Sequence, residues 1–211
     1  MATLTDDDWC AVFELGPSTQ QLARLVQGVR DEQLTAPTPC PDYTLGDLLE
    51  HVHGLAFAFT LAARKEELPV GDQAPSGNAS RLPDDWRASI GSRLEELGEA
   101  WRHEPAWDGV TTVAGVTLSA PDMAAVALDE VVVHGSDVAR SSGQGLEVDA
   151  TSLAVASGFA EAMSGPQQAE QRAGIFGPVV PVPDGASPLD RLIASPGRHP
   201  DWQPAQASSS A

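Results

Sequence analysis

The sequence predicts an all-α protein: an up-and-down four-helix bundle with an irregular C-terminal segment. Three observations carry that expectation. Four or five long stretches repeat their apolar residues at helical spacing, and period-two text is confined to one short stretch. Clusters of Pro and Gly fall mostly between the helical stretches, giving connections of short to moderate length.

The first helix is expected from about Asp6 to Val29, kinked or broken at Gly16-Pro17. The turn APTPCPDYT follows, with Thr44 placed to cap the next helix and Asp47 at its N3 position. That second helix runs from Leu45 to about Glu66 and ends at Leu68-Pro69, before the loop VGDQAPSGNAS. A third spans Asp84 to Trp101, with Ile90, Leu94 and Leu97 at helical spacing. Residues 110–118, VTTVAGVTL, alternate β-branched residues about Ala-Gly and read as a small hairpin or an extended loop. The fourth helix covers Pro121 to Arg140 and is stopped by Gly143 and Gly145. The fifth covers Thr151 to Met163, capped by Asp149 or Thr151. A short helix near Pro188 to Ala194 interrupts an otherwise proline-shaped segment, in which GRHPDW is expected to fold back over the bundle with Trp202 as apolar anchor. Residues 1–202 are expected to form one domain and residues 203–211 a disordered tail.

Composition narrows the functions available. At 211 residues and 42% hydrophobic the chain can bury a sizeable core. A net charge of −18, spread along the chain, argues against a sequence-independent grip on nucleic acid or an anionic membrane. No run of about 18 apolar residues and no apolar leader is visible, which leads to the expectation of a cytoplasmic protein. Cys10 and Cys40 make neither a disulfide framework nor a C-x-x-C pair, and reduced thiols are expected.

The fourth helix carries the chemistry. Met123, Val126, Ala127 and Val138 gather on one apolar side, and Glu130, His134 and Asp137 fall in the middle of that same stripe. A buried unpaired carboxylate costs several kcal/mol, so something must compensate it. An i,i+4 ion pair worth a few tenths of a kcal/mol is the plain explanation of Glu130 with His134. A divalent cation reached by both side chains is the other. Zinc asks for at least three protein ligands. The second helix offers His51 and His53, on opposite shoulders of its stripe, roughly 90–110° from its centre. Spacing does not choose between them. His103 and His199, beside Trp101 and Trp202 in loop-like text, are expected at the surface. Cys40 reads as a small buried residue sooner than as a ligand or nucleophile.

TPCPDYTLGDLLEHV, LDEVVVHGSDVARSSGQ and FGPVVPVPDGASPLDRLIASPGRHPDW, in that order, closely resemble an actinobacterial family of DinB-like metal-binding proteins related to mycothiol-dependent maleylpyruvate isomerase. The resemblance runs from about Trp9 to Trp202. It implies a bundle holding a divalent metal, usually zinc, that faces a pocket. By the family's D-L-L-x-H pattern it makes His51 a ligand, and by its E-x-x-x-H-G-x-D pattern Glu130 and His134. Tyr43 and Ser136 depart from the family, which often has Trp at both places, and this bears on pocket shape. Asp137 is then either an acceptor orienting an imidazole N–H or a cap for a neighbouring backbone group, and Asp47 could orient His51 or simply serve the helix start.

Two kinds of chemistry follow from such a centre: activation of a low-molecular-weight thiol, with mycothiol implied by the relatives, for S-transfer or isomerisation of a small electrophile, or activation of water for hydrolysis. A non-catalytic metal- or ligand-binding module is the third expectation. Partners are a small substrate and a thiol, with no nucleic acid or membrane, and the chain acts as a monomer or homodimer.

Overall fold

A computed structural model describes residues 13–69, 76–165 and 176–204. Cys10, Trp9, the expected first half of the N-terminal helix and most of the expected tail lie outside them. Among the described residues there are six α-helices: α1 (Gly16–Gly28), α2 (Leu45–Arg64), α3 (Trp86–Ala100), α4 (Ala120–Ser142), α5 (Ala150–Met163) and α6 (Pro188–Ala194). Short 3-10 turns occupy Asp31–Gln33, Ala79–Arg81 and Glu104–Trp107, and one hairpin, β1 (Val110–Val113) with β2 (Val116–Ser119), precedes α4.

Local chemistry accounts for most boundaries. Of the kink or break expected at Gly16-Pro17, the described residues show a break: Phe13 to Leu15 are not helical, and the helix starts at Gly16 with Pro17 in the first turn, where its missing N–H costs nothing. Thr44 Oγ1 accepts from the Asp47 N–H at 3.3 Å while Asp47 Oδ2 accepts from the Thr44 N–H at 3.0 Å, a reciprocal cap on α2. Asp149 accepts from the N–H groups of Thr151 and Ser152 at the head of α5. Gly143 closes α4 in the left-handed conformation at φ 75°. In the hairpin, Val113 pairs with Val116, leaving Ala114 and Gly115 as a two-residue turn at φ 52° and 79°. Positive φ at both positions is what a type I′ turn demands. Thr111 Oγ1 donates to the Ala62 carbonyl at 2.9 Å and docks the hairpin on α2.

Each of the first four helices packs mainly on two others, in the cyclic order α1, α3, α2, α4. Leu22, Leu48, Leu49, Leu94, Leu97 and Leu128 are fully buried at their common centre, each contributing about 1.5–3 kcal/mol of transfer free energy. α5 lies on α4, and α6 packs on both. α4 is therefore covered by the bundle on one side and by α5 and α6 on the other, and most of its residues are buried. Polar groups on such a helix must find partners inside the protein. No helix of the described residues is long and apolar enough to cross a membrane.

Candidate metal centre

α2 and α4 are neighbours, and their facing sides bring three potential ligands together. One nitrogen each of His51 and His134 and a carboxylate oxygen of Glu130 all lie within 4.8 Å of one another. The two imidazoles meet edge to face, ring centroids 5.0 Å apart at 86°. Tyr43, in the turn before α2, stands 5.3 Å from the His51 ring. His53, on the opposite shoulder of α2, faces α3 instead, its Nε2 2.9 Å from Ser89 Oγ. The tie between the two shoulders is thus broken by which helix packs on which side. His103 and His199 are exposed.

His134 is held at both ring nitrogens. Its Nε2 lies 2.9 Å from Glu130 Oε2 and its Nδ1 3.3 Å from Asp137 Oδ2. Asp137 is 1% exposed and receives two further hydrogen bonds, from Arg198 Nε at 3.3 Å and Nη2 at 3.1 Å. Of the two roles open to Asp137, the geometry is that of an acceptor for an imidazole. Asp47 is not placed that way: Oδ2 serves Thr44 and Oδ1 accepts the Ala79 N–H at 2.8 Å, so it caps and ties down a loop.

Burial opposes a charge on His134, but hydrogen bonds to Asp137 and Glu130 outweigh it and raise its pKa to about 9. Burial likewise opposes the Glu130 carboxylate, and His134 more than offsets this, holding Glu130 below its ordinary value. For Asp129, 3% exposed, the balance goes the other way: burial, reinforced by the neighbouring Glu130 charge, outweighs the pull of His134 and Arg198 and pushes its carboxyl well above the usual range. Cys40 is half-buried and not the buried residue expected, and what burial it has raises its thiol, which disfavours the thiolate.

The donor set fits a divalent cation. Two imidazole nitrogens and a carboxylate oxygen suit zinc and its neighbours, and ligands about 2.0–2.2 Å from one ion stand some 3–4 Å apart, close to the observed spread. The carboxylate on His134 Nδ1 directs Nε2 toward the ligand cluster, the usual support of a metal-binding imidazole. Behind Glu130 and His134 the walls are apolar, among them Leu22, Val52, Leu55, Phe59, Leu94 and Val131. The space there, about 10 Å³, holds about one water, and His51 and Glu130 keep some exposure.

Two residues of this constellation were not singled out from sequence. Asp129 adjoins Glu130 but sits off the apolar stripe, and its burial becomes evident only when α5 and α6 cover the second side of α4. Arg198 arrives 61 residues after Asp137. Its only signal is its place in the GRHPDW motif, which does return onto α4, where Arg140 donates to the carbonyls of Pro200 and Trp202.

A DinB-like helical bundle with a histidine–carboxylate cluster between two helices is the class that fold and site define. The family model described as the mycothiol maleylpyruvate isomerase N-terminal domain matches residues 15–139, and the chain belongs to that family. It is similar to uncharacterised proteins of Mycobacterium tuberculosis from two strains, each 29% identical over 188 residues, covering 83% of this chain and 91% of the relative. Among solved structures, that of the mycothiol-dependent maleylpyruvate isomerase superposes with a TM-score of 0.64 at 22% identity, covering 95% of this chain and 94% of that one. A histidine-to-alanine mutant of that enzyme gives 0.59 at 22% identity, covering 82% and 76%. Likeness at this identity speaks for the fold.

Proposed function

We propose that the protein is a metal-dependent enzyme, with zinc as the expected ion, that activates a low-molecular-weight thiol of the mycothiol class for addition to a small electrophile, ending in isomerisation or S-transfer. The observation that carries this reading is the convergence of His51, Glu130 and His134 from two helices, with three donors and no fourth His, Cys, Asp or Glu in the cluster among the described residues. Three protein ligands leave a tetrahedral cation one position for a ligand from solution. Such an ion, when bound, supplies Lewis acidity that stabilises a thiol as its anion near neutral pH.

The chain's own residues do the rest. Asp137 fixes the His134 ring, so that Nε2 is presented to the cluster and Nδ1 is occupied. Glu130 adds a negative ligand that favours a divalent ion over a monovalent one. The apolar walls behind the cluster keep water from that side, which favours a thiol over water as the activated group. Membership in a family that takes its name from mycothiol maleylpyruvate isomerase, and likeness to the mycothiol-dependent enzyme's structure, support the thiol over water as well.

Elemental analysis followed by thiol titration tests the reading. The purified protein is expected to carry close to one equivalent of divalent metal, Glu130→Gln substantially less, and mycothiol is expected to change the visible spectrum of cobalt-loaded protein. Ester or amide turnover without any thiol would move the assignment to hydrolysis, and a metal content near zero after growth in zinc-replete medium would remove it.

A further inference from the structure

The three clustered side chains all come from α2 and α4, inside the stretch matched by the family model, but the support of His134 does not end there. Asp137 Oδ2 takes two N–H groups from Arg198, which lies beyond residue 139 in the segment after α6. Arg198 is itself tightly placed. Its backbone N–H donates to the Ile193 carbonyl at 3.0 Å, and its Nη1 donates to the Pro196 carbonyl at 3.1 Å. Gly197 turns the chain at φ 93°, and a Cβ there would stand 2.9 Å from Gly177 Cα. Only glycine fits, so the turn delivers the next residue to one place. Its side chain is 11% exposed and aims inward at a carboxylate that is 1% exposed.

Arg198 pairs with Asp137, Asp137 with His134 Nδ1, and His134 Nε2 faces the cluster. Resting on the metal-centre reading above, we infer that Arg198 is a positioning residue of that centre: the C-terminal segment, through Arg198, locks the Asp137 carboxylate in the orientation that holds His134 for the cation. Without the guanidinium, Asp137 keeps one partner at 3.3 Å and is free to turn, and the ring loses its fixed bearing. Partners of this kind typically govern metal affinity by about 10–100-fold.

The test is zinc affinity of the full chain, measured by competition with a chromophoric chelator, with circular dichroism of the metal-free protein as the folding check. Arg198→Met is expected to weaken zinc binding about tenfold or more, and Arg198→Lys by clearly less, since it restores a charged donor. In an Asp137→Asn background, Arg198→Met should change affinity little, because the path through Asp137 is already cut. Gly197→Ala, which displaces Arg198 without altering it, should weaken binding in the same sense. The inference is overturned if folded Arg198→Met binds zinc like the unsubstituted protein, or if the two substitutions are additive. Should the unsubstituted protein fail to bind zinc at all, the metal-centre reading falls and the inference with it. Normal zinc binding by both proteins would sink the inference alone.

Discussion

At the scale of single residues, His134 is a strongly perturbed basic group, and its perturbation has a direction that can be measured. In the metal-free protein its pKa is about 9, against about 6.5 for an ordinary histidine. A raised pKa in the folded state means that folding is favoured while the imidazolium persists. The contribution is whole below about pH 6.5 and disappears as pH rises through 9, a difference on the order of 3 kcal/mol. Chelator-treated protein should therefore unfold at lower urea concentration at pH 9.5 than at pH 6, and His134→Gln should flatten that dependence. An equal or larger fall in the variant would show that other groups cause it. His134 was legible in the sequence because a polar residue in an apolar stripe is conspicuous. The choice of His51 over His53 was not legible from spacing, since both shoulders of a stripe look alike until a neighbouring helix is known.

At the scale of elements, the sequence spoke most clearly where the signal is local. The caps at Thr44 and Asp149, the stop at Gly143 and the short helix at Pro188 to Ala194 are all written within a few residues of where they act. The start of α1 was harder, because Pro serves equally to break a helix and to open one. The Thr44 cap matters beyond α2 itself, because Asp47 also holds the Ala79 N–H of the following loop. Thr44→Ala is expected to cost about 1 kcal/mol, read as a lower urea midpoint with unchanged slope. His51 sits nearly two turns further along α2, so zinc affinity should be unaffected. A change in affinity would mean that the cap positions the ligand.

For the whole molecule, the consequence of the site is that it joins helices the core already packs together. Its proposed ligands are split between α2 and α4, which are separated by α3 and the hairpin along the chain. An unfolded chain does not hold His51 near Glu130 and His134, so a cation bound by all three acts almost wholly on the native state. This long-range convergence was invisible to periodicity and came from sequence only through family resemblance, whereas the Arg198 clamp on the far side needed the folded chain. The protein's charge of −18 also raises the local concentration of cations, so uptake should weaken as salt screens that field. At a free zinc concentration of 100 times Kd the native state gains about 2.7 kcal/mol. For a chain of this size that raises Tm by roughly 5–10 °C over chelator-treated protein. His51→Ala should abolish most of this rise, and His53→Ala should keep it, because His53 faces Ser89 on α3. If the two variants kept the zinc-dependent shift equally, the ion would be bound elsewhere on the acidic surface and not between α2 and α4.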